Sequence, residues 1–131
     1  MQITLESDYA ARIVFCLCRA HSRLDAKTIA DETGVTLRFS LKILRKLVAA
    51  KIAKSYKGTQ GGYEIANSPK DITLGDVIRA IEGDIAINRC LKGDFACTGG
   101  MGDCRLQHAF HDVSCAVEEK LEKYTFEELM K

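Results

Sequence analysis

Apolar residues recur at helical spacing through most of the chain, and this pattern predicts a mainly α-helical fold. The first helix is predicted to begin at an N-cap Ser7 and to run to about His21. Its apolar positions are Ala10, Ile13, Val14 and Leu17. Two cysteines, Cys16 and Cys18, fall on or beside this stripe, where we interpret them as small core residues.

The next two helical segments predict a helix-turn-helix. Asp25 is placed to cap a short helix, Gly34 to end it, and Thr36 to cap a longer one. The longer helix has an apolar face made by Phe39, Ile43, Leu44, Leu47 and Val48. Two helices joined by a few residues that include a glycine are typical of this motif.

Two short alternating segments, 52–57 and 63–66, flank the turn Gly58-Thr-Gln-Gly-Gly62 and predict a β-hairpin. A helix-turn-helix followed directly by a hairpin is typical of a winged helix. The fold class we predict is therefore mainly α: a winged helix-turn-helix with a small β-hairpin wing and a long C-terminal helix.

The C-terminal third predicts three more helices. A capping box at Thr73 and Asp76 begins one that Gly83 ends, and Thr125 with Glu128 begins a short terminal one. Between them, a helix of roughly 18 to 20 residues follows Cys104, with an apolar stripe at Leu106, Phe110, Val113, Val117 and Leu121. We expect three parts: a DNA-binding domain over 1–83, a cysteine-rich loop over 84–104, and a dimerisation helix with a terminal helix over 105–131.

Composition limits the class of protein. The 131 residues are 47% hydrophobic and 28% charged with a net charge of +1, which is ordinary for a folded domain. No apolar run approaches the roughly 20 residues of a membrane span. The first residues lack a secretion-signal pattern, so we expect a cytoplasmic protein whose six cysteines are reduced.

Positive charge is concentrated in the helix-turn-helix and the wing. Between Thr33 and Tyr63 there are seven Lys or Arg residues and no Asp or Glu. Since basic side chains displace phosphate counterions and a helix fits the major groove, this surface predicts binding to double-stranded DNA. The alternative is a basic face on a protein-binding winged helix. The candidate DNA-contacting residues are Thr36, Arg38, Lys42 and Arg45 in the helix, and Lys57, Thr59 and Gln60 in the wing.

Cys90, Cys97 and Cys104 are separated by equal gaps of six residues in a glycine-rich segment. Thiolates are the ligands that iron–sulfur clusters and zinc select. Structural zinc sites typically use cysteines two to four residues apart, and the chain has no C-x-x-C motif, so the spacing favours an iron–sulfur cluster. A fourth ligand must lie outside this set. Spacing along the following helix offers His108, His111 and Cys115.

Taken in order, these pieces resemble the Rrf2 family of winged-helix iron–sulfur regulators, which has IscR-like and NsrR-like branches. The resemblance rests on Met1-Gln-Ile-Thr4, Ser7-Asp-Tyr-Ala10, the recognition-helix segment Lys42-Ile-Leu-Arg-Lys-Leu47, Gly61-Gly-Tyr63, Ile72-Thr-Leu-Gly-Asp-Val77, the three cysteines and Tyr124-Thr125. It implies a homodimer joined by the long helix, a roughly two-fold symmetric DNA operator, and DNA affinity set by a cluster on Cys90, Cys97 and Cys104.

The resemblance also supplies a further candidate for the fourth ligand. In the NsrR-like branch an Asp matching Asp8 ligates a 4Fe–4S cluster from the partner subunit. In the IscR-like branch a His follows the third cysteine by three residues, whereas His108 follows Cys104 by four. We favour Asp8 over His108, and 4Fe–4S over 2Fe–2S. The six-residue gaps depart from the family's usual spacing, so the cluster type is not carried over.

Together these features predict a DNA-binding transcriptional repressor, and no nucleophile–base pair suggests an enzyme. Two alternatives stay open. The first is a regulator that senses through bare thiols or zinc. The second is an electron carrier or cluster carrier whose winged helix docks a protein partner.

Overall fold

The computed structural model describes residues 1–92 and 103–131, and α1 (Leu5–Ala20) lies at its centre. This helix packs against four of the other helices and against the wing. The apolar stripe expected for it is fully buried. The predicted N-cap was wrong: Thr4 caps the helix by accepting a 3.2 Å hydrogen bond from the Ser7 N–H, and Ser7 itself is buried. Both hydroxyl residues suit the role, and the helix begins at the earlier one.

The helix-turn-helix consists of α2 (Ala26–Thr33) and α3 (Leu37–Ala49). Its caps are the ones that the sequence predicts. Asp25 accepts a 2.7 Å hydrogen bond from the Thr28 N–H, and Thr36 accepts one of 3.3 Å from the Phe39 N–H. Between the helices Gly34 adopts φ +73°, the left-handed conformation that glycine tolerates at a helix end.

The wing is an antiparallel hairpin of β1 (Ala53–Tyr56) and β2 (Gly62–Ile65). Leu24, in the link between α1 and α2, forms a bridge to Tyr63 through hydrogen bonds of 2.9 and 2.8 Å. A Cβ on Gly62 would lie 2.6 Å from the Leu24 carbonyl oxygen, and Gly62 has φ +144°. Only glycine allows this close approach, so the start of β2, next to the turn of the wing, is fixed to the body of the domain.

Helix α4 (Leu74–Glu82) follows a short 3₁₀ turn and begins with the predicted capping box. The Asp76 N–H donates to the Thr73 hydroxyl at 3.1 Å, and the Thr73 N–H donates to the Asp76 carboxylate at 2.9 Å. Gly83 ends the helix at φ +81°. Because α4 packs on both α1 and α3, it closes one side of the winged-helix core.

The long helix α5 (Arg105–Glu122) and the short α6 (Phe126–Leu129) complete the chain. Phe126 is only 1% exposed and lies in the same core as α1 and α4. Its N–H donates to the Ile72 carbonyl at 2.9 Å. The chain therefore returns from α5 into the N-terminal module. Among the described helices, none is long and apolar enough to cross a bilayer.

Candidate nucleic-acid interface and thiol site

Helix α3 presents the basic face that the sequence predicts. Arg38, Lys42 and Arg45 are exposed on it, while Ile43 and Leu44 on the opposite side are fully buried. Leu37, next to the capping Thr36, is 47% exposed. An apolar side chain at the start of such a helix is suited to contact with thymine methyl groups in the major groove. Position and exposure thus favour α3 as the helix that enters DNA.

No pattern in the sequence indicates that an acidic residue contacts this face. Glu6, in the first turn of α1, places its Oε1 2.9 Å from the Lys46 Nζ and 3.7 Å from the Lys42 Nζ. The Glu6 side chain is only 20% exposed. Two of the four basic side chains on this part of α3 are therefore paired within the chain.

Aromatic contacts support the same junction between α1 and α3. The Tyr9 and Phe39 rings meet edge to face, with centroids 5.5 Å apart and planes at 88°. The Lys42 ammonium lies 5.6 Å from the Phe39 ring centroid. Such contacts hold the start of α1 against the flank of α3, so the first turn of α1 lies beside the candidate DNA surface.

Lys57, Thr59 and Gln60 are exposed at the tip of the wing, as a DNA-contacting role requires. Arg23 stacks over the Tyr56 ring at 3.4 Å and donates a 3.4 Å hydrogen bond to the Gln60 carbonyl. Arg23 is a supporting residue that sequence reasoning missed, because its link to the tip depends on the Leu24–Tyr63 bridge.

The hydroxyl of Tyr56 on β1 donates to the Glu64 carboxylate on β2. That hydrogen bond raises the pKa of the phenol. The wing therefore carries one carboxylate, on the strand that leads away from its basic tip.

Two of the three predicted cluster cysteines are on the described part of the chain, and Cys97 lies outside it. Cys90 is in a 3₁₀ turn, Arg89–Leu91, and Cys104 is the N-cap residue of α5. Both are half-buried, and the Cys104 side chain makes no capping hydrogen bond. The Gln107 side-chain amide donates to the Cys90 carbonyl at 3.4 Å. The segment of Cys90 is thus placed against the first turn of α5, which begins at Cys104.

The candidates for a fourth ligand are exposed or half-buried, and both leading ones have partners. Asp8 forms a 2.8 Å ion pair with Arg12, and the His108 Nε2 lies 3.1 Å from an Asp103 carboxylate oxygen. His111 and Cys115 are one helical turn apart, with the sulfur 3.8 Å from the Nδ1. Within the described residues, no three His, Cys, Asp or Glu side chains converge on one point.

Cys18 is a core residue, as expected, whereas Cys16 is only partly buried. Cys18 is 1% exposed, and burial raises its pKa to about 11. Burial, followed by a 3.1 Å hydrogen bond to Glu32, raises the pKa of Cys16 to about 12. Because metals bind thiolates, such raised pKa values make both groups poor ligands near neutral pH.

An ion-pair cluster that the sequence analysis missed joins α4 to α5. The Arg79 guanidinium lies 3.0 Å from Asp76, 2.7 Å from Glu118 and 3.1 Å from Glu122. On α4, Asp76 and Arg79 are three residues apart and share one helix face. On α5, Glu118 and Glu122 are four residues apart and also share one face, so the sequence could have indicated that these two charged faces pair. Ser114 adds a further link, since its buried hydroxyl accepts a 3.0 Å hydrogen bond from the Ile87 N–H.

The apolar stripe of α5 is largely exposed in the single chain. Leu106 is 68% exposed, Val113 45% and Phe110 37%. These residues are on a different side of the helix from Ser114, Glu118 and Glu122, which face the winged-helix module. Adjacent large apolar side chains on one helix face are typical of an interface that a partner covers.

Comparison with known proteins supports the family that the sequence motifs indicated. The sequence model of the Rrf2 family, described as an iron-dependent transcriptional regulator, matches residues 3–131. The chain belongs to the Rrf2 family. A curated relative is the HTH-type transcriptional regulator NsrR of Shouchella clausii (strain KSM-K16). It is 26% identical over 132 residues, which cover 99% of this chain and 89% of the relative.

Solved structures with the same fold include other members of the Rrf2 family. T. potens IscR superposes with a TM-score of 0.77 at 26% identity, covering 99% of this chain and 86% of IscR. CymR, the global cysteine regulator of B. subtilis, superposes with a TM-score of 0.78, covering 98% of this chain and 95% of CymR. Its identity of 24% supports a shared fold alone. The chain is thus a DNA-binding transcriptional regulator of the winged-helix type and not an enzyme.

Proposed function

We propose that this Rrf2-family regulator is a cytoplasmic homodimeric repressor whose operator affinity is set by an iron–sulfur cluster. The observation that carries the proposal is the placement of Cys90 and Cys104 at the N-terminal turn of α5. That turn belongs to the helix with the exposed apolar stripe, and the same helix is joined through α4 to the module with the basic surface. A change at the thiols would therefore act on both.

The donor set fits a cluster. Cys104 leaves its thiol uncommitted at the positive end of an 18-residue helix, which favours a negatively charged ligand sphere. Cys90, Cys97 and Cys104 would supply three thiolates, and Asp8 of a second copy or His108 of the same chain the fourth ligand. Bound there, a 4Fe–4S or 2Fe–2S cluster supplies a centre that redox state, nitric oxide or iron supply can change.

The protein's own contacts provide a route from the thiols to DNA. Gln107 and Ser114 tie residues 87–90 to α5, and Arg79 ties α5 to α4. In turn α4 packs on α1 and on the recognition helix α3. A shift of the first turn of α5 would alter the position of α3 relative to its copy in the dimer. A coupling of about 1–3 kcal/mol, or roughly 5- to 150-fold in affinity, suffices for a switch.

Anaerobic purification tests the cofactor. We expect a coloured protein that contains iron and acid-labile sulfide, and we expect Cys104→Ser to lose both. Cys16→Ser is the matched control, because it removes one thiol that is not a candidate ligand and should keep the iron. A colourless, iron-free wild-type protein would contradict the cluster and favour a thiol-based or zinc-based regulator.

The fourth ligand is tested by Asp8→Ala and His108→Ala, each compared with wild type for iron retained during desalting. Since Asp8 is paired with Arg12, Arg12→Ala provides a control for loss of the ion pair alone. We expect Asp8→Ala to lose the cluster and Arg12→Ala to keep it. Equal losses in both would assign the effect to the ion pair.

Operator binding is tested by gel shifts of genomic fragments with and without the cofactor. We expect the affinity for at least one fragment to change by roughly 5- to 150-fold when the cofactor is removed. An affinity that does not respond to the cofactor would contradict regulation by a cluster. It would leave the electron-carrier or cluster-carrier role as the explanation of the cysteines.

A further inference from the structure

The basic side chains of α3 fall into two pairs in different electrostatic environments. Lys42 and Lys46 both lie within ion-pair distance of Glu6. Across residues 1–92 and 103–131, no carboxylate is placed within ion-pair distance of Arg38 or Arg45. The two arginines are free to bind phosphates or bases, whereas the two lysines share one negative charge.

We propose that Glu6 is a specificity-determining residue that limits how many lysines of α3 bind DNA phosphates. Each lysine that neutralises a phosphate releases counterions and strengthens binding to any sequence equally. By occupying Lys46 and part of Lys42, Glu6 lowers this sequence-independent component. Contacts to base edges, which distinguish an operator from other DNA, then contribute a larger share of the total.

The geometry supports a persistent pairing. The Glu6 side chain is mostly buried, at 20% exposed, and the edge-to-face contact of Tyr9 with Phe39 fixes its helix turn against α3. Lys46 is less exposed than Lys42, 38% against 59%, and makes the shorter ion pair. An ion pair in such a partly enclosed position is screened less by salt than one between fully exposed side chains.

A purely structural role for Glu6 is the competing explanation. As an acidic residue in the first turn of α1, it also complements the helix dipole. That role predicts lower thermal stability in Glu6→Gln with no change in the number of phosphates bound. The two explanations therefore differ in the salt dependence of DNA binding.

The test uses the full-length protein and a random-sequence DNA duplex, so it requires no known operator. For Glu6→Gln we expect tighter binding and a plot of log K against log salt that is steeper by about 1 to 2, at roughly 0.9 per phosphate contact. Glu127→Gln is the matched control. It removes the same charge from an exposed position on α6, and its slope should equal that of wild type.

A second pair of variants tests the idea without substituting Glu6. Because the charge of Lys46 is already paired with that of Glu6, Lys46→Met should leave the wild-type slope unchanged. Arg45→Met should make the slope shallower by about 1. In the Glu6→Gln background, Lys46→Met should remove about half or more of the gain in slope.

An unchanged slope in Glu6→Gln, or a slope shallower by about 1 in Lys46→Met alone, would overturn the proposal. The proposal rests on the DNA-binding role of the family, and that role has its own readout. If wild type failed to bind the random duplex, DNA binding itself would be in question. Unchanged slopes in a wild type that binds would contradict only the role of Glu6.

Discussion

The winged-helix core and the apolar stripe of α5 bury their hydrophobic residues to very different extents. Ile13, Leu44 and Phe126 are at most 1% exposed, whereas Leu106 and Val113 are 68% and 45% exposed. The core is closed by residues of one chain, and the C-terminal α6 supplies part of it. The stripe requires a covering surface that the single chain lacks over its described residues. The stability of the winged-helix core and the burial of the stripe thus depend on different contacts. Substitutions should therefore be able to change one without the other.

This difference assigns different tasks to the two ends of α5. Its C-terminal half is fixed to α4 through Arg79, while its N-terminal half carries the exposed Leu106 and Phe110 and begins at Cys104. The half that a second copy would cover is therefore the half next to the thiols. In a dimer, the state of the thiols and the packing of the stripe would not be independent.

Phe126→Ala should have the largest effect, because it opens a cavity in the closed core. We expect a loss of about 3–5 kcal/mol in the free energy of unfolding, measured by urea denaturation. Leu129→Ala is the control on the same helix, since Leu129 is 38% exposed and should cost far less. A loss for Phe126→Ala as small as that for Leu129→Ala would mean that α6 is not part of the core.

Val113→Glu should leave the core intact but weaken self-association. Val113 lies at the middle of the stripe, so its substitution would place a charge in the proposed interface. We expect dissociation to become easier by at least ~30-fold, equivalent to about 2 kcal/mol, measured by light scattering after size-exclusion chromatography.

Ala116→Glu provides the control for Val113→Glu, because it adds the same side chain to an exposed position of α5 outside the stripe. It should associate as wild type does. If Val113→Glu had no effect on association while the wild type was dimeric, the dimer would use another surface.

The sequence predicted local features well because their signals are local. The caps Asp25, Thr36 and Thr73 and the helix-ending Gly34 and Gly83 act on backbone groups within four residues, so spacing identified them. Thr4 was missed as the N-cap of α1 because Ser7, three residues later, is an equally suitable N-cap residue. The basic face of α3 also follows from helical periodicity alone.

Contacts between distant segments could not be predicted from spacing. Glu6 reaches Lys46, Arg23 supports the wing, and Arg79 joins α4 to α5 only because the tertiary fold brings these segments together. For the thiol site, the structure places Cys90 near the start of α5. The role of Cys97, the fourth ligand and the division into three parts stay predictions, because they depend on residues 93–102 or on a second copy.

Arg79→Met should loosen the connection between the two regions without opening either. The side chain is 30% exposed and binds three carboxylates, so we expect a loss of about 1–2 kcal/mol in the free energy of unfolding. Hydrogen exchange should rise in the C-terminal half of α5 more than in α1. Lys120→Met, which removes an exposed charge from α5, should change neither quantity measurably. A uniform rise in exchange would contradict a local connection.

The smallest expected effect is a pH dependence that arises from Asp76. Partial burial raises the pKa of this carboxyl, but hydrogen bonds from Thr73 and the Arg79 guanidinium outweigh it and lower the pKa below its ordinary value of 3.8. A carboxyl whose pKa is lower in the folded state stabilises the fold above the unfolded pKa. That contribution is lost as the pH falls through the folded value.

The melting temperature of wild type should therefore drop further between pH 5 and about 3 than that of Asp76→Asn, which has no such carboxyl to protonate. Since Asp76 is also part of the capping box of α4, the variant should start from a lower melting temperature at neutral pH. Parallel curves for the two proteins would show that the acid sensitivity arises from other carboxylates.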